Sequence, residues 1–137
     1  MSYLDILKPQ LVIDEGRKNK MYKDSRGIET IGIGHNLRDK PISDAAVNQI
    51  FEDDVADAEA DARKLFPVFD QLTDARKAVV VNMSMNLGYT AFSFFTRTIV
   101  AINAGDYNDA ATYMLASVWA SQVGQRAQRL AEAMRQG

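Results

Sequence analysis

Along most of this chain apolar residues recur every three or four positions, but in one short stretch, Ile28-Glu-Thr-Ile-Gly-Ile-Gly34, they alternate every second position. The two periods present different faces to a core, so the chain is restricted to an α+β, mainly α arrangement with one small β element. Asp24-Ser-Arg-Gly27, just upstream, is turn chemistry, and the segment from about Asn19 to Leu37 therefore predicts a small antiparallel hairpin. Alternation puts Ile31 and Ile33 on one face, the expected core face. Thr30, Gly32 and Gly34 share the other, where missing side chains would let something approach the backbone closely.

The helical segments surround this stretch. Ser2-Tyr-Leu-Asp has the form of a capped turn, and Pro9 suits the first position of a helix that runs to about Glu15 and stops at Gly16. Ser43 caps a long helix in which Val47, Ile50, Phe51, Val55, Ala58, Ala62 and Leu65 recur at helical spacing until Pro67. The opposite face of that helix is acidic and is expected to be solvated. A very apolar segment, Ala78 to Leu87, predicts a central core helix stopped by Gly88, with Met83, Met85 and Met114 as flexible core filler and Met85 able to serve at a cleft floor as well. Further helices are predicted at about Thr96–Ala104, Tyr107–Trp119 and Gln122–Arg135, with Asp106 capping the second. The organisation is one domain over 1–137: a β-containing lobe at about 14–42, a connecting helix at about 43–66, and a helical lobe at about 67–137 on which the N-terminal helix packs.

Composition removes several classes of function. With 137 residues, 47% hydrophobic and 25% charged, the chain can bury a core and has no signature of disorder. Sixteen Lys+Arg against eighteen Asp+Glu give a net charge of -2, so nothing in the whole molecule favours nucleic acid. The absence of cysteine removes disulfides, thiolate metal sites and Cys nucleophiles, and one His is too few for most metal centres. Leu4 to Ile13 is too short and too polar for a membrane span or a signal core, which predicts a protein that stays where it is made. Charge is uneven: residues 1–40 carry eight bases and six acids, residues 41–75 two and nine, and residues 76–137 six and three. Both outer portions can therefore favour an anionic partner.

Glu15 ends the first helix, Asp24 sits in the hairpin turn, and Thr30 lies on the glycine-bare strand face, so the three can line one cleft. Two carboxyl groups flanking a pocket can divide labour, one donating a proton while the other stays ionised, and that division suits glycoside cleavage. Each acid also has a plainer reading, Glu15 as partner of a surface base such as Lys18 and Asp24 as a favoured turn residue.

The string Ile13-Asp-Glu-Gly16, Tyr22-Lys-Asp24 and Thr30-Ile-Gly-Ile-Gly-His35 resembles the phage-type lysozymes, glycoside hydrolase family 24. The resemblance covers nearly the whole chain, because Pro67-Val-Phe-Asp70, Asn82-Met83, Trp119 and Gln125-Arg-Ala127 fall in matching order. It implies a lysozyme-like fold and hydrolysis of the β-1,4 bond between N-acetylmuramic acid and N-acetylglucosamine in peptidoglycan, without metal or organic cofactor. Glu15 would be the general acid. Asp24 with Thr30 would hold and activate the attacking water, or else stabilise positive charge in the transition state. In an inverting enzyme the two carboxyls lie roughly 6.5–9.5 Å apart, in a retaining one about 5–5.5 Å.

The same resemblance implies supporting roles for Tyr22, for His35 paired with Asp54, and for Arg126 near the general acid. Gly34, Asn36, Met85, Thr98 and Tyr113 fall where family members touch the glycan. A monomer is implied, held in the host cytoplasm until a membrane-permeabilising partner, a holin, gives access to the wall, with host lysis as its role. The rival readings are a lytic transglycosylase, which closes the muramic sugar on itself instead of adding water, and a peptidoglycan-binding protein without turnover.

Overall fold

The computed structural model describes residues 2–137. Its elements are α1 (Tyr3–Glu15), β1 (Lys18–Lys23), β2 (Glu29–Gly32), β3 (His35–Asn36), α2 (Asp44–Leu65), a 3-10 turn (Phe69–Gln71), α3 (Asp74–Leu87), α4 (Tyr89–Ser93), α5 (Thr96–Ala104), α6 (Tyr107–Leu115), α7 (Val118–Val123) and α8 (Gln125–Gln136). The chain divides within α2 into an N-terminal unit ending at Asn48 and a C-terminal unit, Gln49–Gly137. No helix among the described residues is long and apolar enough to cross a membrane.

In the N-terminal unit the expected hairpin is present and is extended by a short third strand, giving an antiparallel sheet in the order β1-β2-β3. Thr30 is the central residue, paired with Tyr22 on one side and Asn36 on the other. The predicted strand is shorter than its alternation suggested. Gly32 and Gly34 take φ values of +68° and +72°, so Ile33 and Gly34 form the turn into β3 instead of continuing β2. The expected core face is reversed for the same reason. Ile33 sits at the turn and is 41% exposed, whereas Ile28 and Thr30, on the other parity, are buried. Helix α1 also begins earlier than predicted, with Pro9 inside it. The Ser2 N–H donates to the Asp5 carboxylate at 2.9 Å, which fixes the first turn, and Pro9 then deletes only one backbone bond.

The C-terminal unit is helical and is built on a continuous apolar core. Phe66, Val80, Met83, Phe92, Ile102 and Met114 are fully buried, and Phe66, Phe92, Phe95 and Trp119 form a chain of tilted and edge-to-face ring contacts with centroids 5.6–6.3 Å apart. Burial on α2 falls at Ala58 and Ala62, while Val47, Ile50 and Phe51 are exposed. Ser43 starts α2 as expected, its hydroxyl accepting the Ala46 N–H at 3.2 Å, and Thr73 starts α3 by accepting the Arg76 N–H at 3.2 Å.

Three sequence readings need correction here. The segment predicted as one helix over Tyr107–Trp119 breaks at Ala116 and Ser117, because the Ser117 hydroxyl accepts the Ala120 N–H at 3.2 Å and caps a new helix, α7. Asp106 precedes α6 without a side-chain cap bond. Met83 and Met114 are core, but Met85 is 44% exposed, since its place on α3 turns it away from the buried stripe of Val79, Val80 and Met83.

Candidate active site

Glu15 is the last residue of α1. Gly16 ends the helix at φ +74°, its N–H donating to the Val12 carbonyl at 3.0 Å. The Glu15 side chain lies against Gly34: a Cβ placed on that glycine would stand 3.0 Å from Glu15 Cγ, Cδ and Oε2. A missing side chain does admit a close approach at Gly34. What approaches is the acid itself.

Asp24 closes the β1–β2 turn. Its Oδ1 accepts the Arg26 N–H at 2.8 Å and the Ile28 N–H at 2.9 Å, while its own N–H donates to the Ile28 carbonyl at 3.0 Å. The Ile28 hydrogen bond is the main reason the Asp24 carboxyl is held below its ordinary value. Partial desolvation opposes this, and the Arg26 N–H and the charges of Arg26 and Arg38 add to it. Thr30 is 3% exposed, and its hydroxyl donates to the Ile28 carbonyl at 2.8 Å. With its hydrogen committed, that oxygen keeps lone pairs that can accept from a water. The Ile28 peptide groups are thus the shared partner of Asp24 and Thr30, a link that residue spacing could not reveal because it runs through backbone atoms.

Of the supporting residues, Tyr22 stands opposite Thr30 across the sheet and is half-buried. The His35 ring Nε2 lies 3.1 Å from the Lys40 carbonyl, within hydrogen-bond distance, while Asp54 belongs to the C-terminal unit. Asn36 is engaged with its own turn: Oδ1 accepts the Arg38 and Asp39 N–H groups, each at 3.0 Å, and Nδ2 donates to Asp39 Oδ2 at 3.0 Å. Sequence reasoning missed Arg38, whose Nε donates to Glu29 Oε2 at 3.0 Å and whose Nη2 donates to the Gly27 carbonyl at 3.0 Å. That hydrogen bond is the first cause holding the Glu29 carboxyl below its ordinary value.

In the C-terminal unit, Thr98 and Tyr113 line one open cavity of about 500 Å³ with Phe94, Phe95, Ser117 and Trp119. The Trp119 ring N–H donates to Asn86 Oδ1 at 2.7 Å, and Arg97 lies 4.7 Å over the Tyr113 ring. Met85 lines a different cavity of about 350 Å³, walled by Asp54, Asp57, Asp61 and Ser84. Arg126 donates from Nε and Nη2 to Asn82 Oδ1 at 3.0 and 2.7 Å. Among the described residues no three His, Cys, Asp or Glu side chains are placed to hold a metal ion.

A mainly helical chain with a small three-stranded antiparallel sheet near its N-terminus is consistent with the lysozyme-like class. The family model "Phage lysozyme" matches residues 13–136, and the chain belongs to that family. It is a lysozyme-type peptidoglycan hydrolase, and hence a glycoside hydrolase.

Among curated relatives it is 28% identical to probable T4-type lysozyme 2 of Dictyostelium discoideum, over 90% of this chain and 90% of that protein. Probable T4-type lysozyme 1 of the same organism is 26% identical over 96% and 94%. The pre-baseplate central spike protein Gp5 of Enterobacteria phage T4 is 29% identical over 85% of this chain, which spans about 25% of that longer protein's length.

Proposed function

We propose that the chain hydrolyses the β-1,4 bond between N-acetylmuramic acid and N-acetylglucosamine, with Glu15 as general acid and Asp24 and Thr30 handling the water. The observation that supports this reading best is the seating of the three groups on one small unit. Glu15 rests on the Gly34 backbone, and Asp24 and Thr30 are both anchored to Ile28. Asp24, kept ionised by two backbone N–H donors, is suited to take the proton of an attacking water or to stabilise the oxocarbenium-like transition state. Thr30 then orients the same water as acceptor, and Glu15 protonates the departing glycosidic oxygen.

Gly34 and Asn36 in the N-terminal unit, and Met85, Thr98 and Tyr113 in the C-terminal unit, are the proposed glycan contacts; the cavity shared by Thr98 and Tyr113, with its exposed aromatic rim at Phe94, suits a sugar face. His35 and Arg126 are supporting residues, each within its own unit, His35 through the Lys40 carbonyl and Arg126 through Asn82. The protein acts as a monomer in host lysis, leaving the cytoplasm for the wall through membrane lesions made by a holin.

A turbidity assay on purified wall tests the reading. Wild type clears the suspension, and Glu15→Gln, which keeps the shape but cannot donate the proton, slows clearing by about 10²-fold or more. Equal clearing by both proteins contradicts the assignment.

A further inference from the structure

We infer that Arg38 is a positioning residue for Asp24, acting through the Gly27–Ile28 peptide group and the Glu29 side chain on either side of Ile28. This inference rests on the reading in which Asp24 and Thr30 handle the water, and it names a residue outside that trio. Ile28 carries both groups: its N–H holds the Asp24 carboxylate and its carbonyl holds the Thr30 hydroxyl. Its neighbours in sequence are Gly27 and Glu29, and the Arg38 guanidinium binds both, Nη2 to the Gly27 carbonyl and Nε to the Glu29 carboxylate, each at 3.0 Å. One planar group therefore spans the residue on which the site is hung.

The arginine is itself held. Asn36 Oδ1 accepts the Arg38 N–H at 3.0 Å, and the Leu37 N–H donates to the Glu29 carbonyl at 2.8 Å, so the segment that carries the guanidinium is tied to β2 beside its target. Inside the turn the other hydrogen bonds among the described residues are those that Asp24 makes and the Gly27 N–H to the Asp24 carbonyl at 2.9 Å. Gly27 takes φ +77°, a conformation open to glycine in many neighbouring geometries, and the outside contact selects one of them.

The chemistry distinguishes this role from a plain surface ion pair. The Arg38 and Glu29 side chains are 49% and 34% exposed, and pairs of that kind contribute little to global stability. Two divergent N–H donors in a fixed plane do supply orientation, and a lysine, with a single mobile ammonium, cannot reach both acceptors in the same way. The effect should appear in the reaction and in Asp24, with little change in melting.

The test compares wild type, Arg38→Ala and Arg38→Lys by wall-clearing kinetics, thermal melting and carbon-13 NMR titration of the Asp24 carboxyl with amide exchange at Ile28. Both variants are expected to melt close to wild type and to lose roughly tenfold in kcat with KM nearly unchanged. In Arg38→Ala the Asp24 titration moves upward and the Ile28 amide exchanges faster; Arg38→Lys restores part of the titration but not the rate. A folded Arg38→Ala protein with wild-type kcat overturns the inference, as does a slowed one whose Asp24 titration and Ile28 exchange are unmoved. A wild type that clears no wall refutes the hydrolytic reading separately, and the NMR arm still decides whether Arg38 holds the turn.

Discussion

The two units of this chain reach a defined geometry by opposite means. In the C-terminal unit seventeen buried residues form one apolar core, so each helix is placed by packing. In the N-terminal unit Ile28 is the one buried apolar residue among those described, and its backbone is doubly hydrogen-bonded to Asp24. There, position is set by glycine torsions, turn hydrogen bonds and one guanidinium. Mutations in the two units should therefore act on different properties. Core changes in the helical unit remove stability, whereas changes in the sheet unit remove alignment.

The largest expected effect is therefore on stability. Phe92→Ala deletes a ring that touches both Phe66 and Phe95 and should cost about 3–5 kcal/mol, read as a large fall in denaturation midpoint. A loss below about 1 kcal/mol would mean that the core is not close-packed there. Gly34→Ala sharpens the other side of the comparison. It forces a Cβ into a φ of +72° and within 3.0 Å of the Glu15 carboxyl, so the rate should fall by roughly tenfold or more while stability drops by only about 1–2 kcal/mol. An active Gly34→Ala protein would show that Glu15 does not need that seat.

A smaller effect is expected in the pH dependence of stability. Asp24 is held below its ordinary value of 3.8, so its carboxylate adds stability above that pH, and the contribution is lost as pH falls through the lower folded-state value. Denaturant melts of wild type and Asp24→Asn at a series of acid pH values should converge as pH falls, and curves that stay parallel would contradict the role of the Ile28 and Arg26 donors. The smallest effect concerns His35→Asn, which alters the ring's bond to the Lys40 carbonyl and should lower melting slightly while leaving most of the clearing rate. A stable but inactive variant would instead place His35 in the chemistry.

Much of this comparison is legible in the residues. The change from period two to period three-to-four marks the sheet, and Ser43, Gly16 and Gly88 mark helix ends where the structure has them, because caps are local chemistry. The α6 break at Ser117 was hidden: a serine within an apolar periodic segment looks like any helix residue until its hydroxyl takes the Ala120 N–H. The buried face of β2 was misjudged because Ile33 completes the alternation in sequence yet belongs to the turn that the two glycines make. At the site, Glu15, Asp24 and Thr30 could be nominated by type and order. Their common dependence on Ile28 and Arg38 could not, since main-chain acceptors leave no trace in residue identity.

Product analysis tests the central claim most directly. Peptidoglycan digested in water enriched in oxygen-18 and examined by mass spectrometry should show reducing N-acetylmuramic acid ends carrying one heavy oxygen with wild type, and none above background with Glu15→Gln. Anhydro-muramic ends without label would contradict the account, because water would then have no part in breaking the bond.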